Sequence, residues 1–275
     1  MRIGKQDAPF SAICGSDAHM ITVRGRDLCE DIIGKLDFTS YFWLLVTGTM
    51  PSEDQRFFAD AVLTAITEHG LVPSVIATRM TFAAAPEAFQ GAVAAGLLGC
   101  GSVVLGSAET AGRFYARVLG EIEAKPDARD DVIIEALKGL RAMKQAVPGF
   151  GHPQHSEGDP RALKLLGLAR ERGVAGPHVA LIDDMLRLLP EAIGRPLPVN
   201  VNGAIPAVML DVGFPLAALK GISLLARTAG LIGHLQEESE RPIGFIMSGS
   251  AAAAIRYDGP GAAGLAGGES ASGGE

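Results

Sequence analysis

The sequence SEDQRFFADAVLTAITEHG, residues 52–70, has the pattern of an amphipathic α-helix. Ser52 stands at the N-cap position with Gln55 three residues later, which is the spacing of a capping box. Apolar side chains then recur at intervals of three and four residues, namely Phe58, Ala61, Val62, Ala65 and Ile66. This spacing predicts a helix that is buried along one face. His69 lies on the same stripe, eleven residues after Phe58.

A second helix is predicted to begin at Asp159-Pro160 and to end at Gly173. Aspartate is a preferred N-cap residue, proline is favoured at the first helical position, and glycine commonly follows the last turn. Arg161 then lies in the first turn, where a cation opposes the helix macrodipole. An anionic ligand would offset that unfavourable position.

The segment from Pro215 to Glu238 is apolar almost all round, which is typical of a helix buried in a larger protein or in a subunit interface. Lys220, Arg227 and His234 recur every seven residues and therefore share one of its faces. Because buried cations need partners, we expect this face to line a cleft. Lys220, near the start of the helix, is expected to extend into solvent.

The only long uncharged stretch, Gly91–Ala108, is rich in glycine, alanine and serine. It predicts a helix that a neighbouring helix approaches closely, rather than a membrane span. β-Strand patterns are few, around Ser11–Ile13, around His19–Val23 and at Pro198–Asn202. The predicted fold class is therefore all-α, or mainly α, and the glycine-rich residues 258–275 are predicted to be a disordered tail.

Charge and cysteine content argue against several classes of partner and site. The chain has 275 residues and a formal net charge of −7, without a run of lysines or arginines, which argues against nucleic acid or an anionic membrane surface as partner. The first ten residues lack the apolar core of a signal peptide. Cys14, Cys29 and Cys100 form no CxxC pair, so we expect no disulfide framework and no metal site. A reducing, cytoplasmic location fits this cysteine usage.

Four separated segments carry residues suited to chemistry. They are VRGRDL (23–28) running on to FTSYFWLLVTGTMP (38–51); EHG (68–70) followed by VLGSA (104–108); PGFGH (148–152) followed by DPR (159–161); and NVNG (200–203) followed by ARTAGLIGH (226–234). In this order and spacing they resemble the citrate synthase superfamily, from about Arg24 to about Ile246. The NVNG and AGLIGH segments are more similar to the citryl-CoA lyase branch, the module also found in ATP-citrate lyase, than to ordinary citrate synthases.

The resemblance implies an α-helical homodimer whose subunits each have a large and a small domain. Citrate or oxaloacetate would lie between the domains, and acyl-CoA would enter the same cleft. By analogy the large domain comprises residues 1–106 and 214–257, and the small domain residues 107–213. The implied ligands are a coenzyme A thioester and a di- or tricarboxylate, with no tightly bound cofactor. Domain closure would exclude water from the reactive thioester.

The resemblance also assigns roles to residues. His69 matches the histidine that binds the oxaloacetate unit, and His152 matches the histidine that exchanges a proton with the alcohol or keto oxygen. Imidazole suits this task because its pKa is near working pH. Arg161 and Arg227 match arginines that bind carboxylates, for which their planar forks are suited, and Arg241 is a further candidate.

The loop 147–151 matches the segment whose backbone receives the adenine end of coenzyme A. Gly149 and Gly151 would permit that close approach. Val147, Gly149 and Gly151 are therefore the predicted coenzyme-contacting residues.

Three positions depart from the family pattern. Leu105 occupies the place of a histidine that polarises the thioester carbonyl in citrate synthases, and an apolar residue there favours the lyase branch. Asn202 replaces the aspartate that exchanges the α-proton of the acetyl group, and loss of general acid–base action costs about 10²- to 10⁴-fold in rate. Pro153 replaces an arginine found in many relatives. We expect ordinary citrate formation to be poor.

Three hypotheses follow. The first is an enzyme that cleaves citryl-CoA to acetyl-CoA and oxaloacetate, or runs the reverse condensation, with Asn202 positioning the acyl group. The second is a citrate synthase-like or 2-methylcitrate synthase-like acyltransferase with an altered substrate. The third is a non-catalytic paralogue that binds coenzyme A or citrate, because Leu105 and Asn202 replace two expected catalytic side chains while the anion-binding set is retained.

Overall fold

The computed structural model describes residues 10–101, 106–151 and 158–260. The described residues are predominantly helical, which confirms the predicted fold class. Their strands form one small antiparallel sheet in the order β1-β2-β3, made of β1 (Cys14–Ser16), β2 (Ile21–Val23) and β3 (Arg26–Asp27). At the predicted strand Pro198–Asn202 the structure has only an isolated bridge between Val199 and Phe150.

Eleven α-helices follow in the described residues: α1 (Phe38–Thr47), α2 (Glu53–Thr67), α3 (Pro73–Ala84), α4 (Phe89–Leu98), α5 (Ser107–Ala124), α6 (Arg129–Ala142), α7 (Pro160–Glu171), α8 (Pro177–Ile193), α9 (Val201–Asp211), α10 (Leu219–Glu240) and α11 (Gly244–Ala254). Short helical turns precede three of these helices, and they are Leu28–Ile32, Pro126–Ala128 and Leu216–Ala218. The tail prediction concerns mainly residues 261–275, which lie outside the described ranges.

The predicted helix starts are confirmed by their caps. At α2, Ser52 Oγ accepts from the Gln55 backbone N–H at 3.2 Å, and Gln55 Oε1 accepts from the Ser52 N–H at 2.9 Å. At α7, the Asp159 carboxylate accepts from the backbone N–H of Arg161 at 3.0 Å. Each bond satisfies a backbone donor that the helix itself leaves without a partner.

The prediction of one helix over Gly91–Ala108 is wrong. The chain leaves α4 after Leu98 and starts α5 at Ser107. Gly99 is the C-cap of α4, and glycine costs more backbone entropy in a helix than any other residue except proline. The long apolar helix is confirmed as α10, which starts four residues after Pro215.

The chain divides into two compact units. The first comprises the residues up to His69 together with Cys100–Gly230, and the second comprises Gly70–Gly99 together with the residues from Leu231 onward. In the first unit, α9 packs against α5, α7 and α8, and nearly all of its side chains are buried. In the second unit, α3 packs against α4 and α11. The division at residues 106/107 and 213/214 that the resemblance implies stays a prediction.

One helical stretch among the described residues, Leu216–Glu240, is long and apolar enough to cross a membrane by length and composition alone. It carries the charged residues Lys220 and Arg227, and Arg227 is buried within the protein. Leu219, Ile222 and Ala226 belong to the main hydrophobic core. These contacts are those of a core helix packed against other parts of its own chain.

Candidate active site

Arg227 lies in the middle of α10 and is only 3% exposed. Its Nε and Nη1 atoms have no hydrogen-bond partner among the described residues. A carboxylate oxygen of Glu68 lies 4.0 Å from Nη1. Burial lowers the pKa of Arg227, Glu68 and Cys100 oppose that shift, and the positive charge of Arg161 adds to it. A buried guanidinium with two N–H-bearing atoms left without hydrogen-bond partners in the described residues is costly, so this position is suited to an anion.

The approach of α10 to the end of α2 brings Arg227 to this place. Gly230 lies one turn beyond Arg227, and a Cβ atom on it would overlap the carbonyl oxygen of Thr67, the last residue of α2. Only glycine fits so close a contact. Glu68 and His69 follow directly after α2, and His69 is half-buried. His69 and Arg227 therefore belong to neighbouring parts of the first unit.

Cys100 is a neighbour of Arg227 that the sequence did not indicate. Its side chain is buried, and burial raises the pKa of the thiol while the positive charges of Arg227 and Lys220 lower it. The thiol is thus within electrostatic range of Arg227, although the two residues are far apart in sequence. Glu68 stands beside the predicted His69, and this adjacency was the available signal for it.

Arg161 is held by the residue that caps its own helix. Its Nε and Nη2 atoms donate to the two carboxylate oxygens of Asp159 at 3.0 and 2.9 Å. The carboxylate of Asp159 is fully buried, whereas 22% of the Arg161 side chain is exposed. The negative charge of Asp159 offsets the unfavourable place of a cation in the first turn.

The NVNG segment forms the start of α9, with Asn200 as its N-cap and Asn202 in its first turn. Asn200 anchors the glycine loop: its backbone N–H donates to Gly149 O at 2.9 Å, and its Nδ2 donates to Gly151 O at 2.6 Å. The N–H of Gly151 in turn donates to Pro198 O at 2.7 Å. The predicted coenzyme loop is therefore joined by hydrogen bonds to Asn200, the N-cap of the helix whose first turn carries Asn202.

The two glycines that meet here leave no room for side chains. A Cβ on Gly149, whose φ is +84°, would lie 2.6 Å from the Cα of Gly203 and 2.5 Å from the hydroxyl of Tyr115. That hydroxyl is buried and has no hydrogen-bond partner in the described ranges, and burial raises the pKa of Tyr115. Close backbone packing thus fixes the loop against α9.

A basic cleft of about 440 Å³ borders the same loop. Val147, Phe150 and Gly151 form part of its wall, and its charged lining residues are Arg141, Lys144 and Arg195. No carboxylate lines it within the described part of the chain. The cleft combines apolar and cationic surface, which suits an anionic ligand with a hydrophobic part.

The remaining predicted residues are Arg241, His152, Leu105 and Pro153. Arg241 belongs to the second unit, where its side chain is 77% exposed and pairs with Glu237. His152, Leu105 and Pro153 fall outside the described residues. Within the described ranges, no cluster of three or more histidine, cysteine, aspartate or glutamate side chains could hold a metal ion.

The family model described as the citrate synthase C-terminal domain matches residues 22–244. Among curated proteins, the putative citrate synthase 2 of Mycobacterium tuberculosis is 30% identical over 209 residues, covering 74% of this chain and 51% of the relative. The citrate synthase of a Synechocystis species is 26% identical over 210 residues, covering 74% and 50%. The chain therefore spans about half the length of the curated relatives it matches.

Solved structures give a longer match. Citryl-CoA lyase from Hydrogenobacter thermophilus is 30% identical with a TM-score of 0.73, covering 86% of this chain and 87% of that one. ATP citrate lyase from Methanothrix soehngenii, solved with citrate and coenzyme A, is 22% identical with a TM-score of 0.69 and covers 86% and 40%. This second likeness establishes the fold alone.

Proposed function

The chain belongs to the citrate synthase family, and from this premise we propose that it cleaves citryl-CoA to acetyl-CoA and oxaloacetate or catalyses the reverse condensation. The observation that carries the proposal is the buried guanidinium of Arg227, with Nε and Nη1 unpartnered among the described residues. Arg161 is near enough to lower the pKa of Arg227 by repulsion. A substrate carboxylate beside Arg227 would relieve both the repulsion and the missing hydrogen bonds.

Two features support a coenzyme A thioester as the form of the substrate. The basic cleft offers Arg141, Lys144 and Arg195 to phosphate groups, with apolar surface from Val147 and Phe150 beside them. The glycine loop that borders this cleft is hydrogen-bonded to Asn200, next to the proposed reaction centre. A long ligand would lie with its phosphates in the cleft and its acyl end near α9.

The chemistry of cleavage needs a base and a place for negative charge. His152 would remove the proton from the tertiary alcohol, the carbon–carbon bond would break, and its electron pair would pass to the acyl fragment as a thioester enolate. Asn202, in the first turn of α9, would hold the acyl group, and the helix N-terminus favours the negative charge that develops there. Because an amide does not titrate, water or another residue would protonate the enolate carbon.

Two observations favour the lyase over the synthase reaction. Leu105 lacks the imidazole that polarises the thioester carbonyl in citrate synthases, whereas the change at Asn202 departs from both branches. The chain is also 30% identical to citryl-CoA lyase from Hydrogenobacter thermophilus, with a TM-score of 0.73. Together, the apolar residue at position 105 and this likeness support the lyase reaction.

We further propose a homodimer that works in the cytoplasm and needs no tightly bound cofactor. The second unit exposes large apolar side chains on and near α11, among them Phe245 (72%), Ile246 (65%) and Ile255 (74%). Such a cluster favours burial against another protein surface, and a second copy of this chain provides one. Light scattering during gel filtration tests this: a mass near 57 kDa (2 × 28.5 kDa) is expected, and 28.5 kDa would contradict it.

The reaction is tested with purified protein and citryl-CoA. Oxaloacetate release is measured by coupling it to NADH oxidation with malate dehydrogenase. The wild-type protein should release oxaloacetate, and His152→Ala should lose at least about 10²-fold in rate, as expected for removal of a general base. His178→Ala is the matched control, because His178 bonds only to Asp211 among the described residues and lies in none of the predicted motifs. Release unaffected by His152→Ala would contradict the role of His152.

The same preparation separates the other hypotheses. An acyltransferase with an altered substrate would release free coenzyme A from another acyl-CoA and 2-oxo acid pair faster than from acetyl-CoA and oxaloacetate. A non-catalytic paralogue would bind citrate or coenzyme A in calorimetry without turnover of any acyl-CoA. Leu105 and Asn202 are the residues that motivate both alternatives.

A further inference from the structure

Asp159 has more hydrogen bonds than a helix cap needs. Its carboxylate is fully buried and accepts from the backbone N–H and the Nε of Arg161, both at 3.0 Å on Oδ1. On Oδ2 it accepts from Nη2 of Arg161 at 2.9 Å and from the backbone N–H of Val201 at 2.9 Å. A cap requires one of these bonds; the other three join α7, the Arg161 side chain and the first residue of α9.

The geometry divides the guanidinium of Arg161 into two parts. Asp159 occupies the side-on fork, formed by Nε and Nη2. The end-on fork of Nη1 and Nη2 keeps its outer N–H groups for another acceptor, since the bonds that Arg161 donates within the described ranges come from its backbone N–H, Nε and Nη2. Held in this way, the guanidinium loses little further rotamer entropy when a carboxylate binds.

The same carboxylate links Arg161 to the helix turn that carries Asn202, the residue proposed to hold the acyl group. Val201 directly precedes Asn202, and its N–H bond to Asp159 fixes the start of α9 relative to Arg161. A shift of Asp159 would therefore move both the carboxylate-binding and the acyl-positioning parts of the site. A neutral side chain would also leave the charge of Arg161 without this compensation.

We propose that Asp159 is a positioning residue: it holds the side-on fork of Arg161 and the N-terminus of α9 so that the end-on fork of Arg161 is oriented to receive a substrate carboxylate group. The inference rests on the proposed function, since it takes a polycarboxylate as the ligand. It adds a residue that acts through Arg161 without touching the substrate.

Asp211 provides a matched control. It is also a buried carboxylate, it lies at the other end of α9, and it caps α8 by accepting from the N–H groups of Gly176, His178 and Val179 at 2.7, 3.0 and 3.0 Å. Its side chain also bonds to His178 Nδ1 at 2.8 Å. Asp211→Asn therefore removes the same charge from a similar environment without contact to Arg161.

The experiment compares Asp159→Asn with Asp211→Asn by calorimetric titration with citrate and by thermal unfolding. Both variants should unfold at lower temperature than the wild type. Only Asp159→Asn should weaken citrate binding, by about tenfold or more, as expected for a misplaced charge-assisted hydrogen bond. In an Arg161→Gln background, Asp159→Asn should weaken binding by less than about twofold further, because the two residues act as one unit. Equal loss in the two aspartate variants, or full additivity with Arg161→Gln, would overturn the proposal.

A second measurement tests the positioning role of Asp159 without citrate, and therefore independently of the proposed function. The Nε–H resonance of Arg161 in a ¹⁵N spectrum, assigned through Arg161→Gln, should be slowly exchanging in the wild type and in Asp211→Asn and be lost in Asp159→Asn. If the wild-type protein bound no citrate, the proposed function would be contradicted. The resonance would then still show whether Asp159 holds the side-on fork of Arg161. A resonance that persists in Asp159→Asn would overturn the positioning role.

Discussion

Gly230 of α10 packs against the carbonyl oxygen of Thr67, at the end of α2, with no space for a side-chain carbon between them. The contact sets how near Arg227 comes to Glu68 and His69. The family-like segment ARTAGLIGH thus contributes a glycine for packing as well as an arginine for binding.

Gly230→Ala should destabilise the protein by about 1 to 3 kcal/mol, because the added methyl group forces the two helices apart. Urea unfolding measures this directly. Gly221→Ala is the control on the same helix: a Cβ there meets nothing within 4 Å, so it should stabilise by about 0.5 to 1 kcal/mol. Equal effects of the two substitutions would contradict the close-contact interpretation.

Arg227→Met should keep or raise the stability of the unliganded protein and abolish citrate binding. Nε and Nη1 of Arg227 have no hydrogen-bond partners among the described residues, and an apolar side chain of similar length removes this buried charge. The unliganded variant should therefore be as stable as the wild type, or up to about 1 to 4 kcal/mol more stable. Citrate should then fail to raise its melting temperature. The measurement is thermal unfolding with and without citrate, and a variant that is less stable and still stabilised by citrate would refute the assignment.

Asn202→Asp and Asn200→Asp should have opposite effects. An aspartate at position 202 restores a titratable group and should raise citrate formation from acetyl-CoA and oxaloacetate. At position 200 the carboxylate cannot donate to Gly151 O, where Nδ2 of Asn200 now donates at 2.6 Å, so the loop should loosen and activity should fall. Free coenzyme A release from acetyl-CoA and oxaloacetate measures both. A gain of activity in the position-200 variant would contradict the anchoring role.

Acid should destabilise the first unit through Asp159 and Asp211, whose carboxylates are buried. Burial favours a higher pKa for Asp159, but bonds from Arg161 and Val201 bring it below the usual 3.8, and bonds from His178 and Val179 do the same for the pKa of Asp211. Their stabilising contribution is complete above the unfolded-state value and is lost as pH falls through the lower native values. The free energy of unfolding, measured by urea at several pH values from 6 to about 2, should fall less steeply for Asp211→Asn. An unchanged slope would contradict this.

The sequence was sufficient for features that are encoded locally. The caps at Ser52 and Asp159 and the apolar face of α2 follow from short-range spacing, and the structure has them where predicted. The break between Leu98 and Ser107 was missed because small residues carry no periodic apolar signal. Which charges meet was also hidden, since the contact of Gly230 with the end of α2 brings Arg227 and Glu68 together only in the folded chain.

Family motifs identified site residues that helical periodicity alone does not indicate. They identified Arg161 and Arg227, but a motif does not say which side of a guanidinium is already occupied. That Asp159 takes the side-on fork of Arg161, and that Nε and Nη1 of Arg227 lack partners among the described residues, emerges only from the atomic contacts.

The most direct test of the account is a crystal structure of the protein with citrate. We expect one citrate carboxylate to accept hydrogen bonds from Nε or Nη1 of Arg227 and from the end-on fork of Arg161, with Asp159 still bound to the side-on fork. Citrate bound elsewhere, with Arg227 unliganded beside Glu68, would contradict the assignment of this site.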